Sequence, residues 1–225
     1  MTSAFVLGST GLVGKQILEY SSRAYDKVVT LSRRKPELTA SNLDAKIEPD
    51  STMWPSVIST LDSTVYFSAF GTTRRASGSA DKFVEIDYGV NYACAKAAKD
   101  AGVKTCVLVS STGANEKSHF LYFKTKGRLE KDIIDLKFER TIILRPGALI
   151  GERDGASRGA LVELFTSTVT LTHRTFLSHL TYAIYGEELG RVAVRLAQEE
   201  YNPEKAPIVK IVGGWELTQL AKTYT

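Results

Sequence analysis

Short apolar runs alternate with longer amphipathic segments along the whole chain. The apolar runs are rich in β-branched and aromatic side chains, which is typical of buried strands. We predict strands at residues 4–7, 27–32, 45–48, 64–69, 103–110, 141–144 and 208–212. The amphipathic segments predict helices at residues 12–20, 81–100, 121–136 and 186–198, and the polar residues 72–80 predict a loop. Strands separated by helices predict βαβ units and therefore an α/β fold with a doubly wound parallel sheet.

The length and composition are those of one globular domain. The chain has 225 residues, of which 43% are hydrophobic and 24% charged, so it can bury a sizeable core and is not a disordered protein. Its formal net charge of +4 is too small a surplus to indicate a nucleic-acid-binding protein. No apolar run approaches the roughly 18 residues that a membrane-spanning helix needs.

The few cysteines and histidines limit the chemistry available to the chain. Cys94 and Cys106 lie in apolar stretches, which predicts core thiols in a reducing compartment rather than a disulfide framework. The three histidines are scattered and show no metal-ligand spacing. We therefore expect no metal site.

The first strand leads into a helix through a glycine-rich turn, VLGSTGLVGK. Gly8 permits the tight turn, Gly11 allows the backbone to approach a pyrophosphate, and Gly14 allows close packing of the helix on the strand. The turn predicts a Rossmann-type dinucleotide-binding fold, and three glycines that serve only a tight turn are the alternative. The predicted cofactor-binding residues of this turn are Gly8, Ser9, Thr10, Gly11, Leu12, Val13 and Gly14.

The end of the second strand distinguishes between the two nicotinamide cofactors. An NAD site places a carboxylate there to accept from the ribose 2′-hydroxyl, whereas this chain has Ser32, Arg33 and Arg34. Guanidinium groups pair bidentately with phosphate, so Arg33 and Arg34 predict NADPH/NADP as the cofactor. A solvated basic turn is the alternative interpretation.

A tyrosine four residues before a lysine is a candidate for acid/base chemistry. Three such pairs occur, beginning at Tyr92, Tyr122 and Tyr201, so the spacing alone decides nothing. Only Tyr122 begins a helix shortly after a strand that ends in two serines. That context places its pair at the carboxyl edge of the sheet, where open α/β sheets bind ligands.

The residue types at this edge predict the reaction. Tyr122 would give a proton to a carbonyl oxygen or remove one in the reverse direction, and Ser111 would hydrogen-bond the same oxygen. Lys126 would favour the phenolate form of Tyr122 and hold the nicotinamide ribose. The structural alternatives are strand-end capping for Ser111 and a solvated helix face for Lys126.

Taken in chain order, the motifs resemble a known superfamily. GSTGLVG, SRR, SAFGTTR, LVSSTGA, YFKTK and LRPGALIGER resemble the atypical or extended short-chain dehydrogenases/reductases over roughly residues 4–158. More narrowly, they resemble the group of the animal Tat-interacting tumour-suppressor oxidoreductase and its fungal mitochondrial outer-membrane counterpart. The resemblance implies bound NADP(H), the triad of Ser111, Tyr122 and Lys126, and further cofactor contacts at Phe70, Gly71, Pro146, Gly147 and Leu149. One departure is Asp87, which stands where many members carry an asparagine that organises a proton-relay water.

Together, the residues and the resemblance predict an NADPH-dependent oxidoreductase acting on a small carbonyl or alcohol substrate by hydride transfer. The alternative is an NADPH-binding regulatory or scaffold protein at the mitochondrial surface with little or no turnover. A sugar-nucleotide epimerase or dehydratase is disfavoured, because only about 80 residues follow Pro146. We expect a single domain over residues 1–225, with a nucleotide-binding core at about 1–150. A small substrate cap and the final strand and helix would occupy about 151–225.

The expected location and partners follow from the same resemblance. It implies the cytosolic face of the mitochondrial outer membrane, and without it the composition predicts a cytoplasmic protein. Residues 167–185 are apolar and Thr-rich, carry His173, Arg174 and His179, and are expected to pack over the substrate side of the sheet. A substrate lid and a peripheral membrane contact are the alternatives. The helices at 81–100 and 121–136 are a candidate homodimer surface, although they could equally serve only to cover the sheet.

Overall fold

The computed structural model describes residues 2–151, 182–202, 204 and 208–224. Its strands are β1 (Ser3–Leu7), β2 (Lys27–Ser32), β3 (Leu43–Ile47), β4 (Val65–Ser68), β5 (Thr105–Val109), β6 (Arg140–Leu144), β7 (Leu149–Ile150), β8 (Ile184–Tyr185) and β9 (Val209–Val212). Its α-helices are α1 (Gly14–Ala24), α2 (Trp54–Ile58), α3 (Arg74–Ser77), α4 (Ala80–Val84), α5 (Asn91–Asp100), α6 (Leu121–Asp135), α7 (Gly186–Gln198) and α8 (Gly214–Thr223).

Seven of these strands form one parallel sheet in the order β3-β2-β1-β4-β5-β6-β9. The strand order reverses beside β1, which pairs with β2 on one side and with β4 on the other. Open α/β sheets bind ligands at such a reversal, outside the carboxyl ends of the strands. The predicted Rossmann-type doubly wound sheet is confirmed, and its reversal marks where a ligand site belongs.

Alternate residues of the central strands enter two separate cores, one on each face of the sheet. On β1, Ala4 and Val6 pack with α1, α7 and α8, whereas Phe5 and Leu7 pack with α2, α5 and α6. Side chains of a strand point to opposite faces in turn, so a strand covered on both faces must be apolar throughout. This explains why the strands read as continuous apolar runs.

Both cysteines lie in the second of these cores. Cys94 and Cys106 are buried free thiols. Burial raises the pKa of Cys94 to about 12 and also raises the pKa of Cys106. The prediction of core thiols is confirmed.

The chain after residue 181 completes the sheet and its helical layers. β9 pairs with β6 at one edge of the sheet, and α7 packs along α1. Of the predicted stretch 167–185, residues 167–181 lie outside the described residues. His173, Arg174 and His179 are among them. Within the region predicted to hold the substrate cap and the final strand and helix, the described residues from Tyr182 onward belong largely to the sheet and its helical layers.

The structure differs from the predicted elements in several places. The predicted loop at 72–80 contains α3, because the Thr73 hydroxyl accepts the Ala76 N–H and caps the helix. Ser79 caps α4 in the same way, and a π-helical stretch, Glu85–Val90, links α4 to α5 where one regular helix was predicted. The short helix α2 was not predicted, and the third strand begins at Leu43 rather than at residue 45.

The helices of the sheet layers are short. Within residues 2–151, 182–202 and 208–224, none combines the length and the apolar character that crossing a bilayer would require.

Candidate functional site

The turn between β1 and α1 forms one wall of a crevice at the carboxyl ends of β1 and β4, here called the switch-point crevice. Gly8 has a φ of +86°, and a Cβ on it would lie 2.7 Å from backbone atoms of Ala69 and Phe70. A Cβ on Gly14 would overlap the carbonyl oxygen of Gly8. Side chains are therefore excluded at both glycines, because the turn packs closely against the segment after β4 and the start of α1 packs closely against the turn.

The segment that follows β4 forms the opposite wall. The buried Asn91 amide accepts a hydrogen bond from the Ser68 hydroxyl at 2.6 Å and donates one to the Phe70 carbonyl at 2.9 Å. The buried Asp87 carboxylate, one helical turn earlier, accepts the Thr72 N–H at 2.6 Å. Two polar side chains from the π-helical stretch and α5 thus fix the backbone of this wall.

Tyr122 and Lys126 lie four residues apart on α6, and both line the crevice. Tyr122 is 41% exposed, with its ring centroid 5.4 Å from that of Phe123 and 6.0 Å from that of Phe83. Lys126 is only 6% exposed, and its Nζ lies 2.7 Å from Oδ1 of Asp87. The alternative of a solvated helix face for Lys126 is therefore wrong. An accessible phenol and a buried ammonium thus share one cavity, where the phenol can exchange a proton with an oxygen bound within hydrogen-bond reach.

The two serines at the end of β5 have different surroundings. Ser110 is buried and lines the crevice, and its hydroxyl has no hydrogen-bond partner within the described part of the chain. Ser111, the residue predicted from the sequence, is half-buried, and its hydroxyl donates to the Thr112 carbonyl at 3.3 Å. Of these two serines, it is thus Ser110 that presents its hydroxyl to the crevice.

The crevice has a volume of about 380 Å³ and brings together most of the predicted residues. The predicted residues that line it are Thr10, Gly11, Leu12, Val13, Phe70, Gly71, Tyr122, Lys126 and Leu149. Pro146 and Gly147 do not line it, and the Pro146 carbonyl accepts the Thr112 N–H at 2.8 Å. The Ser9 hydroxyl accepts a hydrogen bond from Thr30 at 2.6 Å inside the fold.

A second cleft of about 590 Å³, here called the basic cleft, lies between α1 and the chain that follows β2. Lys15, Arg34 and Lys35 line it, and none of them has an ion-pair partner in the described ranges. The Ser32 hydroxyl donates to the Arg34 carbonyl at 2.6 Å and so shapes the turn. Arg33 is exposed and does not line the cleft.

The two cavities adjoin each other. Thr10 and Lys15 line both the switch-point crevice and the basic cleft. The cleft also contains two carboxylates, Glu19 and Glu37, of which Glu19 is paired with Arg23. Three cations against one unpaired carboxylate leave the basic cleft suited to an anionic group.

Sequence reasoning missed Ser110, Asn91 and the partner of Lys126. Strand alternation carried a signal for Ser110, because two consecutive residues at a strand end cannot both face the same cavity. Asp87 and Asn91 carried a signal too, since they lie four residues apart in an otherwise apolar helical segment. That Asp87 pairs with Lys126 depends on the contact between two helices, which the local sequence does not specify.

A family model and several curated relatives match this chain. The family model described as HIM1 matches residues 45–182, more than half of the 225 residues. The chain belongs to the HIM1 family. Among curated relatives of this HIM1-family chain, "Protein FMP52-1, mitochondrial" of Scheffersomyces stipitis is 52% identical over 224 residues, covering 98% of this chain and 99% of the relative. "Protein FMP52, mitochondrial" of Lodderomyces elongisporus is 49% identical over 233 residues, covering 99% and 98%.

Solved structures support the fold of the HIM1-family chain. A serine dehydrogenase complexed with NADP+ matches with a TM-score of 0.66 and 11% identity over 93% of this chain and 94% of that one. A short-chain dehydrogenase from Streptomyces avermitilis gives a TM-score of 0.64 and 18% identity, covering 99% and 91%. The Bordetella bronchiseptica enzyme WbmH in complex with NAD+ gives a TM-score of 0.70 and 15% identity, covering 95% of this chain and 75% of that one. At these identities the likeness concerns the fold alone.

Proposed function

We propose that this HIM1-family chain is an NADP(H)-dependent oxidoreductase of the extended short-chain dehydrogenase/reductase type. Its substrate would be a small carbonyl or alcohol compound. The observation that carries the proposal is the shared crevice: Gly11, Tyr122 and Lys126 line one cavity at the reversal of strand order. The two dehydrogenases among the structural neighbours are consistent with this activity.

The residues of the crevice fit a dinucleotide. Gly11 lines the crevice and carries no side chain, so a pyrophosphate can approach the N–H groups of the β1–α1 turn and the start of α1. The unpartnered Ser110 hydroxyl supplies a buried polar atom for the same ligand. We therefore propose Gly11, Leu12, Phe70, Gly71 and Ser110 as cofactor contacts. The other cofactor-binding residues predicted from the sequence are proposed as contacts as well.

The basic cleft favours NADP(H) over NAD(H). Ser32 occupies the end of β2, where an NAD site carries a carboxylate. Arg34 and Lys35 lie along the cleft with unpaired charges, and a guanidinium pairs bidentately with phosphate. We propose Arg34 as the main 2′-phosphate ligand. Arg33 is proposed to contribute less to binding the phosphate, because it does not line the cleft.

The chemistry of the site follows from Tyr122 and its neighbours. When bound, a nicotinamide cofactor supplies a hydride to a carbonyl carbon or accepts one from an alcohol. Tyr122 gives the proton to the carbonyl oxygen in the first direction and removes it in the second. Ser111 is proposed to hydrogen-bond that oxygen, for which its hydroxyl must exchange the Thr112 carbonyl for the substrate. Lys126 is proposed to hold the ribose beside Tyr122.

The cellular setting is part of the proposal. The relatives carry the word mitochondrial in their names, which supports a mitochondrial location, and we propose the cytosolic face of the outer membrane. Protease treatment of intact mitochondria should then degrade the protein while matrix markers survive.

A homodimer through α5 and α6 is proposed as well, and analytical ultracentrifugation would measure its mass.

Thermal-shift titrations test the cofactor. NADPH at 100 times its dissociation constant should stabilise the protein by about 2.7 kcal/mol, and NADH should give a smaller shift at the same concentration. Arg34→Ala should reduce the preference for NADPH more than Arg33→Ala does, because Arg34 lines the cleft and Arg33 does not. Equal shifts with NADPH and NADH in the unaltered protein would contradict the assignment of the basic cleft.

Turnover on a panel of carbonyl compounds tests the reaction. Tyr122→Phe should bind NADPH normally but lose at least 100-fold in turnover, the usual contribution of a positioned acid or base. Tyr92→Phe removes the hydroxyl of another Tyr-x-x-x-Lys pair outside the crevice and should retain activity. Should the unaltered protein bind NADPH yet oxidise none of it with any carbonyl, the regulatory or scaffold function would replace the enzymatic one.

A further inference from the structure

A buried ion pair connects the candidate lysine to the opposite wall of the switch-point crevice. Lys126 Nζ lies 2.7 Å from Oδ1 of Asp87, with side-chain exposures of 7% and 0%. Oδ2 of the same carboxylate accepts the Thr72 N–H at 2.6 Å. One carboxylate therefore holds the ammonium with one oxygen and the wall of the crevice with the other.

The fit of this pair depends on Gly71. A Cβ on Gly71 would lie 3.0 Å from Oδ1 of Asp87 and 3.3 Å from Nζ of Lys126, so the pair packs directly against the Gly71 backbone. Gly71 and Lys126 both line the crevice. The position of the lysine and the shape of the wall are thus determined by the same contact.

A buried pair of this kind needs a reason, because desolvation of two charges offsets most of their attraction. Asp87 is the only charged partner of Lys126 within the described residues. An ammonium has three donors, and one carboxylate oxygen leaves donors of Lys126 for a ligand in the crevice. The pair therefore holds the ammonium in place before any ligand arrives, which reduces the ordering cost of binding.

We infer that Asp87 is a positioning residue that holds Lys126 for the nicotinamide-ribose half of the cofactor. The inference rests on the proposed function and deepens it. Asp87 itself acts through Lys126 and through the Gly71–Thr72 backbone. The adenosine half of the cofactor, which would lie toward Arg34 and the basic cleft, is not sensitive to this pair.

Two ligands separate the halves of the site. NADPH contains the nicotinamide ribose, whereas adenosine 2′,5′-bisphosphate lacks it and keeps the 2′-phosphate. In calorimetric titrations Asp87→Asn should weaken NADPH binding about tenfold, as expected for one hydrogen bond to a charged group, and change bisphosphate binding less than twofold. Asp132→Asn is the matched control, because Asp132 lies on α6 and bonds the Tyr88 hydroxyl away from the crevice. It should change neither affinity.

A double-mutant cycle tests whether Asp87 acts through Lys126. In a Lys126→Met background, D87N should change NADPH affinity less than twofold, because the group that Asp87 positions is gone. Should D87N alone fail to fold, the charge-free D87N/K126M variant supplies the comparison, since it leaves no buried charge unpaired. It is expected to bind the bisphosphate like wild type and NADPH like K126M.

The outcomes separate this inference from the proposed function. An unaltered protein that binds neither NADPH nor the bisphosphate overturns both. A protein that binds both, with D87N weakening the two ligands equally or not at all, overturns only the role of Asp87. The same holds for a D87N effect on NADPH that persists at full size in the K126M background.

Discussion

Replacing Gly8 with alanine tests the close approach of the β1–α1 turn to the segment after β4. At φ +86° an alanine costs about 1–2 kcal/mol, because its Cβ approaches the following carbonyl oxygen. The added Cβ also lies 2.7 Å from backbone atoms of Ala69 and Phe70, which cannot rotate away as a side chain could. Overpacking of this kind costs about 1–3 kcal/mol. Gly8→Ala should therefore lower the free energy of unfolding by about 2–5 kcal/mol.

The chain offers a matched control in Gly78. Its φ is +83°, and a Cβ there meets nothing within 4 Å, so Gly78→Ala carries the backbone strain alone. It should cost about 1–2 kcal/mol. Urea unfolding followed by circular dichroism gives both free energies from the transition midpoint and the slope. The difference between the two variants isolates the close approach.

The binding of NADPH extends the comparison. Gly8→Ala displaces backbone beside Phe70 and should weaken NADPH binding, whereas Gly78→Ala should leave it unchanged. Equal losses of stability in the two variants would refute the close approach. A loss below about 0.5 kcal/mol for Gly8→Ala, the range of ordinary surface substitutions, would refute the backbone conformation as well.

Three further predictions concern the surrounding fold. Cys94 and Cys106 should resist a thiol reagent in the native protein and both react in urea, because burial raises the pKa of each thiol; rapid native labelling would contradict this. Arg145→Met leaves the buried Glu130 carboxylate without its bidentate partner and should cost about 3–5 kcal/mol in urea unfolding, most of which R145M/E130M should regain. Burial and the hydrogen bond to Glu199 raise the pKa of Tyr224 to about 12, from 10 when unfolded. The phenol therefore contributes stability below pH 10 that is lost as the pH rises toward 12. In thermal melts between pH 10 and 12, the melting temperature of Tyr224→Phe should fall less than that of wild type. Identical falls in melting temperature with pH would exclude the role of Tyr224.

Local sequence determined the architecture of this protein because the relevant forces act over short distances. Apolar runs covered on both faces can form only central strands, and the glycine turn after β1 is required by contacts within its own βα unit. The right-handed connections of βαβ units restrict the possible strand orders to a few, and the order itself comes from the structure. The helix boundaries were less accurate, because caps such as Thr73 and the π-helical stretch at Glu85–Val90 depend on single residues.

Tertiary structure alone decided how the site is assembled. The sequence placed Tyr122 and Lys126 on one helix face, but only the packing of α6 against the π-helical stretch buries Lys126 beside Asp87. Likewise, it is the pairing of β5 with β4 in this register that places Ser110, rather than Ser111, at the crevice. Such contacts join residues that are distant in the chain, and their geometry is set by the packing of whole elements. The sequence therefore identified the glycine turn, Tyr122 and Lys126, whereas the place of Ser110 and the pairing of Lys126 with Asp87 depend on the fold.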